Sequence, residues 1–283
     1  EGYCYGLINE LEKAKEAIVL AEQYSSDYCF PNKLEDIMAL KYAISTNPTG
    51  AKAYYYLGNL FYDKLQWEKA TLLWEKSVDL DNSFPTVFRN LSLSYFNKYG
   101  RTQKAKEMLE KAFSLNKKDA RIFLELDQIY KKLGMNIKER LYKFEENNVV
   151  VESRDDLYIE YITLLNLSGM YEESYKLIKN RKFHPWEGGE GKVPTQYTTT
   201  LIGLAKEKMR LEKWEEAKNY LVKALVYPEN LGEGKLEGTK DNHIYYYLGC
   251  ISEKLGLKGE SKGYFEKATI GTDEPAGMMY YND

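Results

Sequence analysis

Residues 183 to 197, FHPWEGGEGKVPTQY, hold the side chains best suited to chemistry: His184 near Glu187 and Glu190, Lys192 closing a glycine run, and Phe183 and Trp186 around them. A carboxylate can orient an imidazole for proton transfer, so His184 with Glu187 or Glu190 contains the parts of a general base. The Gly-Gly-Glu-Gly-Lys run invites comparison with a phosphate loop. That pattern, G-x-x-x-x-G-K-[ST], needs glycine where Trp186 stands and Ser or Thr where Val193 stands. It also follows a strand, whereas a helical pattern precedes this segment. The proton-transfer reading has no nucleophile or metal ligand set close in sequence. The segment reads best as an ordered loop. Prolines fix φ, glycines allow tight bends, and Phe183 and Trp186 tuck into an apolar seam. Pro194 then sits in the first turn of the next helix. An ordered loop at the edge of a binding face is also a place for recognition. No catalytic residue is assigned.

The remaining reactive residues are sparse. Cys4, Cys29 and Cys250 are far apart and odd in number, which fits neither a CxxC motif nor a closed disulfide framework. They read as small buried apolar groups in a reducing compartment. With only His184 and His243, no local zinc-ligand spacing exists, and no metal or cofactor is expected. A net charge of −3 with 29% charged residues describes a mixed surface. Lys117-Lys118 and Lys131-Lys132 are short clusters balanced by nearby acids and read as solvated helix ends. Nucleic acid is not an expected partner, since phosphate contacts demand clustered Lys and Arg. No apolar run approaches the roughly 20 residues that span a bilayer, so no membrane partner is expected either. The chain opens at Glu1-Gly2 and ends GMMYYND, which reads as a cut within a loop of something longer.

The elements that position these residues come from an internal repeat. AYYYLGNLFYDKLQWEKATLLWEKSV (53 to 78) returns as IYYYLGCISEKLGLKGESKGYFEKAT (244 to 269). Tyr54, Leu57, Gly58 and Phe61 fall at i, i+3, i+4 and i+7, one face of a helix. Ala70, Trp74 and Ser77 form a second stripe, and small Gly58 and Ala70 let the two axes approach. The spacing resembles the tetratricopeptide repeat, with its period of about 34 residues. Further copies run from Pro85 (Phe88, Leu91, Ser92, Tyr95, Ala105, Leu109, Ala112, with one extra residue near Gly100) and from Ala120 (Phe123, Leu126, Asp127, Tyr130). The second helix of the latter is degenerate, its stripe being Ile137, Leu141 and Phe144. Later copies pass through Tyr158, Tyr161 and Leu165, through Leu201, Leu204 and Ala205, and through Tyr245, Leu248 and Gly249. An earlier one ends at Leu40, Ala43 and Pro48, with its first helix expected within residues 3 to 24. Asn32 with Glu35, Asn136 with Glu139, and Ser153 with Asp156 are expected caps. Asn47-Pro48 and Tyr227-Pro228 are expected stops. The expected fold is all-α, a right-handed superhelical tetratricopeptide solenoid of about seven helix-turn-helix pairs, running as one domain over 1–283.

KFHPWEGGEGKVPTQY, YPENLGEG (227 to 234), FPTVFRNLSLSYFNK (84 to 98) and ARIFLELDQIYKKLG (120 to 134) resemble a narrower group. It is the C-terminal helical part of a bacterial family joining an N-terminal β-sandwich domain to tetratricopeptide repeats. That resemblance implies an absent N-terminal domain, a cytoplasmic setting and a link to sugar metabolism. Tetratricopeptide arrays bind peptides or proteins along the groove of their first helices, at repeat positions 2, 5, 9 and 12. The carried-over residues are Tyr55, Asn59, Tyr62, Arg89, Gln128, Lys131, Asn166, His243 and Tyr246. The family's carboxylate clamp is matched by Asn59, Asn90 and Arg121, but Tyr55 and Glu125 stand where it needs cations, so that use is not expected. Most of the 26 tyrosines occupy packing positions; Tyr55, Tyr62 and Tyr246 are the groove exceptions. Two functions follow as expectations. One is a non-catalytic scaffold that holds a protein, a peptide or the chain's own missing domain. The other is a helical part that completes a carbohydrate-binding or carbohydrate-processing enzyme through the Trp186 loop.

Overall fold

The computed structural model describes residues 1–26, 29–236 and 239–271, and the GMMYYND ending lies outside the described residues. Every regular element among them is helical. The chain divides into two compact units, 1–135 and 136–283.

The first unit contains α1 (Gly2–Leu7), α2 (Leu11–Ala21), α3 (Leu34–Thr46), α4 (Ala51–Asp63), α5 (Trp67–Leu80), α6 (Pro85–Asn97), α7 (Thr102–Leu115) and α8 (Ala120–Lys132). The second contains α9 (Ile137–Glu146), α10 (Asn148–Val151), α11 (Asp155–Leu167), α12 (Tyr171–Asn180), α13 (Lys192–Arg210), α14 (Trp214–Ala224), a 3-10 turn (Glu229–Leu231), α15 (Asn242–Lys254) and α16 (Lys258–Thr269). The helices α4, α6, α8 and α11 begin at residues 51, 85, 120 and 155, spacings of 34, 35 and 35. The unit boundary falls in the turn of the copy whose second helix lacks a small crossing residue.

Each hairpin follows from residue sizes. A Cβ built on Gly58 would lie 2.5 Å from Trp74 Nε1 and 3.2 Å from the Ala70 carbonyl. Only glycine admits the crossing of α4 and α5 at that distance. Trp74 and Ala70 are buried there. Each turn closes with a residue of positive φ: Leu65, Gly100, Gly134, Gly169, Glu212 and Gly256. The amide of the next residue bonds back to the helix, Gln66 to Phe61 and Met135 to Tyr130, five positions apart. In the Gly100 turn the bond runs from Arg101 to Tyr95, six positions apart, so the extra residue read from the sequence is accommodated there.

Consecutive hairpins are bonded through polar groups as well as apolar seams. Tyr95 donates to Glu75 Oε1 (2.5 Å), and Tyr130 donates to Glu110 Oε1 (2.9 Å), the same link one repeat later. The hydroxyls of Thr71 and Ser94 lie 2.7 Å apart, and those of Ser174 and Thr200 repeat the pairing at 2.7 Å in the second unit. Buried hydroxyls that find such partners avoid the cost of an unmet hydrogen bond.

Some expectations shift: Cys4 and Cys29 are exposed and Cys250 is half-buried, so the cysteines are not core groups. Residues 3 to 24 form two short helices, α1 and α2, where one was expected, because Asn9 turns the chain at φ 63. Asn tolerates that conformation better than most residues. At α3 the expected Asn32–Glu35 cap is replaced by Asp36, whose carboxylate accepts the amides of Asn32 and Lys33 (3.1 and 3.0 Å) while its own amide donates to the Lys33 carbonyl (3.1 Å). Asn136 caps α9 as expected. Ser153 does not cap α11, since its hydroxyl bonds back to the Val150 carbonyl. The stops hold, with α3 ending at Thr46 and α14 at Ala224.

Candidate functional site

In the first unit, α4, α6 and α8 are the first helices of successive hairpins. Polar bonds connect their facing side chains. Asn59 Oδ1 accepts both Trp74 Nε1–H (3.0 Å) and Asn90 Nδ2 (2.9 Å), which ties α4 to α6. Arg89 grips Glu125 with two donors, Nε to Oε2 at 2.8 Å and Nη2 to Oε1, which ties α6 to α8. Arg121 adds a further contact to Glu125 Oε1 at 3.3 Å. A planar guanidinium on a carboxylate, half sheltered from water, holds both side chains in one geometry. Asn59, Asn90 and Arg121 are therefore committed within the protein, the places where a carboxylate clamp would need them free.

Beyond the Arg89–Glu125 pair opens a cleft of about 540 Å³ between the C-terminal halves of α6 and α8, floored by Leu109 of α7. Leu93, Phe96 and Ile129 give it apolar walls. Asn97 and Gln128 offer amides, and Lys131 and Lys132 stand at one end. Leu93 and Phe96 occupy in α6 the repeat positions that Gln128 and Lys131 occupy in α8. The cleft is thus assembled from equivalent positions of two neighbouring repeats. Amides beside an apolar trough suit a ligand with both a peptide backbone and apolar side chains.

The remaining sequence-derived residues are not brought to this cleft together. Tyr62 is half-buried with its ring 5.2 Å from Trp74, and burial raises its phenol pKa, an effect the Asn97 amide opposes. Tyr55 does not line an open groove: it is 6% exposed, with Phe84 edge-on at 4.7 Å. The turn before α6 places Phe84 over it, which the offset within α4 alone does not reveal. Asn166 is likewise closed off at 5% exposure. It donates to Gln196 Oε1 (2.9 Å) and accepts from Thr200 Oγ1 (2.9 Å), joining α11 to α13. In the second unit Tyr246 is 52% exposed beside Tyr247 (5.6 Å) and Phe265 (6.0 Å), and His243 is exposed nearby.

The 183–191 loop is engaged with a second segment. Phe183 is buried, and its amide donates to the Asn230 carbonyl (2.8 Å). Asn230 Nδ2 in turn reaches the carbonyls of Ile178 and Arg181 (2.9 Å each). Gly191 N–H, at the start of α13, donates to Glu233 Oε2 (2.6 Å). The two unusual stretches, around HPWEGGEGK and YPENLGEG, thus clasp each other. Asp155 anchors the other side, accepting Arg181 Nε (2.6 Å) and the His184 amide (2.8 Å). Burial pushes the Asp155 carboxyl up, but the His184 amide and the Arg181 guanidinium outweigh it and hold the group below its usual range. Burial raises Glu233, only partly offset by the Gly191 amide. Trp186 is half-buried and lies on its own loop, against Gly189. Glu187, Glu190 and Lys192 are exposed, as is the His184 ring, whose Nδ1 lies 3.3 Å from Asp155 Oδ2. Pro194 lies in the first turn of α13, as read from the sequence.

Leu93, Phe96, Asn230, Asp155 and Glu233 escaped the sequence reading. For Leu93 and Phe96 a signal existed: large apolar residues at positions that the hairpin core does not use. For the other three it did not, since their contacts join segments roughly 30 to 50 residues apart.

Among the described residues, no group of three His, Cys, Asp or Glu could hold a metal ion, and no helix is long and apolar enough to cross a membrane. No family model matches the chain. Among solved structures, the Naa15/Naa10 complex bound to HypK-THB is similar at TM-score 0.55 and 11% identity, over 81% of this chain and 33% of that one. YrrB, described as a TPR protein with an unusual peptide-binding site, is similar at TM-score 0.48 and 20% identity, over 67% of this chain and 95% of that one. A tetratricopeptide repeat protein from Parabacteroides merdae gives 0.44 and 17%, over 92% and 94%. At 11% identity the likeness to the Naa15/Naa10 complex is one of fold alone, and the tetratricopeptide-type hairpins are seen in the 34- and 35-residue spacing of this chain's own helices.

Proposed function

We propose that the chain is a non-catalytic scaffold that holds a polypeptide segment along the first helices of its N-terminal unit, in a cytoplasmic setting. One observation carries this reading: the cleft of about 540 Å³ built from equivalent positions of α6 and α8, with apolar walls and amides at hand. The surrounding polar side chains are engaged in holding the helices together, not arranged around a reacting atom. Members of the similar folds are described as binding partners, YrrB by its peptide-binding site, which is in keeping with this use.

A photo-crosslinking amino acid at Gln128, in the rim, tests it. Discrete polypeptide adducts are expected, which Phe96→Arg abolishes and which the same probe at exposed Leu72 does not form. Equal labelling at both positions, insensitive to Phe96→Arg, would refute the assignment. A domain elsewhere in the same polypeptide would be one such segment. The carbohydrate alternative has weaker support, because Phe183, Gly191 and Trp186 are used in closing their own loop. Trp186→Ala, Glu190→Gln and Tyr55→Ala should each leave sugar binding unchanged, and a loss in any of them would revive it.

A further inference from the structure

We infer that the outer face of the last hairpin, α15–α16, is a docking surface for the chain's own residues 275–283, which lie outside the described residues. A ladder that recurs between earlier hairpins carries it. Positions are numbered from the first residue of each leading helix, leaving out the extra residue near Gly100. Position 28 of one repeat then meets position 4 of the next, as Phe113 stacks on Phe123 at 5.0 Å. Position 25 meets position 11, in Glu75 with Tyr95 and again in Glu110 with Tyr130. Position 21 meets position 10, in Thr71 with Ser94. In the last hairpin these three places are held by Thr269, Glu266 and Lys262. All three line one open depression of about 590 Å³, together with Phe265 and Ser261. Lys262 and Glu266 face each other across one turn at 3.9 Å, and the Phe265 ring is half-exposed beside Tyr246. No described helix follows α16 to fill the depression.

The sequence supplies an occupant in register. Residues 272–283 read TDEPAGMMYYND. Pro275 comes six residues after Thr269, where α16 ends; Pro85, which opens α6, comes five after Leu80, where α5 ends. Proline suits that place, because a first-turn amide has no helical partner to lose. With Pro275 as position 1, Met278 takes position 4 and Tyr281 position 7, the places of Phe88 and Leu91 in α6. Residues three apart share a helical face, and position 4 falls opposite Thr269, as Phe123 does opposite Phe113. Covering the Phe265 ring with Met and Tyr removes apolar surface from water. Nine residues are too few for a helix stable by itself, so their order would depend on this face.

Amide hydrogen exchange on the full chain, compared with Met278→Asp/Tyr281→Asp and separately with Thr269→Arg, tests this. Thr269 is exposed, so its replacement leaves the packing of α15 on α16 in place. Both variants are expected to speed exchange in α16 on the order of tenfold, while α13 and α14 keep the parent's rates. Thr269→Arg should also release the amides of residues 278–283, which no change within that segment causes. Exchange in α16 that neither variant alters would overturn the inference. Protection of α16 that grows with chain concentration would overturn it too, since a second copy would then be the occupant.

Discussion

Leu65 and Glu212 hold φ of 60 and 57, where four sister turns have glycine. A side chain with a Cβ in that region costs about 1 kcal/mol or more. Both residues are exposed, so little packing compensates. Leu65→Gly and Glu212→Gly should therefore each stabilise the chain by roughly 1 kcal/mol, seen as a rise in Tm; a fall would mean that the side chains pack in ways their exposure hides. The opposite case is Gly232, at φ 76, where a Cβ would come within 2.6 Å of the Phe183 carbonyl oxygen. Gly232→Ala should cost about 1–3 kcal/mol by forcing the clasped loops apart. Asp155 gives a pH dependence with a definite sign. Its carboxyl is depressed in the fold, so it contributes stability above the usual carboxylate pKa, and that contribution is lost as pH falls through the lowered value. Asp155→Asn should be destabilised at pH 7, with the gap to the parent closing under acid in denaturant titrations. These sites differ in how visible they were. A turn position could be read from the repeat alignment, whereas the Asp155 contacts to residues 181 and 184 depend on the path of a loop with no periodicity.

At the scale of the helix, what binds one hairpin to the next is a mixture of apolar seam and recurring polar link. Tyr95 on Glu75 and Tyr130 on Glu110 are the same link in adjacent repeats. Both phenols are raised in pKa, first by burial and then by the facing carboxylate. The sign follows: their stabilisation is complete below the ordinary tyrosine value of about 10, and it fades as pH climbs toward the raised values. Tyr95→Phe/Tyr130→Phe should lower stability at pH 7 by about 1 kcal/mol per bond, and it should be less sensitive than the parent between pH 10 and 12. If parent and variant decline in parallel with alkali, the links contribute nothing to the folded state. The helices themselves were legible because a 3.6-residue period and small crossing residues act over one turn of chain. Which groove position stays open was less so. Tyr55 and Arg89 occupy the same repeat position, yet Phe84 closes over the first while the second turns to Glu125. Helical offset fixes a direction, and the neighbouring hairpin decides what occupies it.

Within each unit of the molecule, hairpins that contact mainly their neighbours make stability a sum of local terms. The sequence repeat made that architecture readable over most of the chain. The cleft was harder to foresee, because Leu93 and Phe96 look like core until the stripe of Phe88, Leu91 and Tyr95 is seen to fill the core without them. Within the first unit the additive picture has a measurable consequence. Leu91 is 1% exposed at the centre of the α6 packing, and Leu91→Ala should cost about 2–5 kcal/mol through lost burial and the cavity left behind. In a stack with nearest-neighbour coupling, that loss is felt most by the hairpins on either side and fades with each repeat. Amide hydrogen exchange should therefore quicken strongly in α4 to α8, less in α3, and least in α1 and α2. The cleft lies inside the affected region, so peptide binding should weaken together with protection in α6 and α8. A uniform loss of protection over residues 1–135 would instead mean that the unit opens as one cooperative block, its repeats coupled more strongly than contacts between neighbours provide.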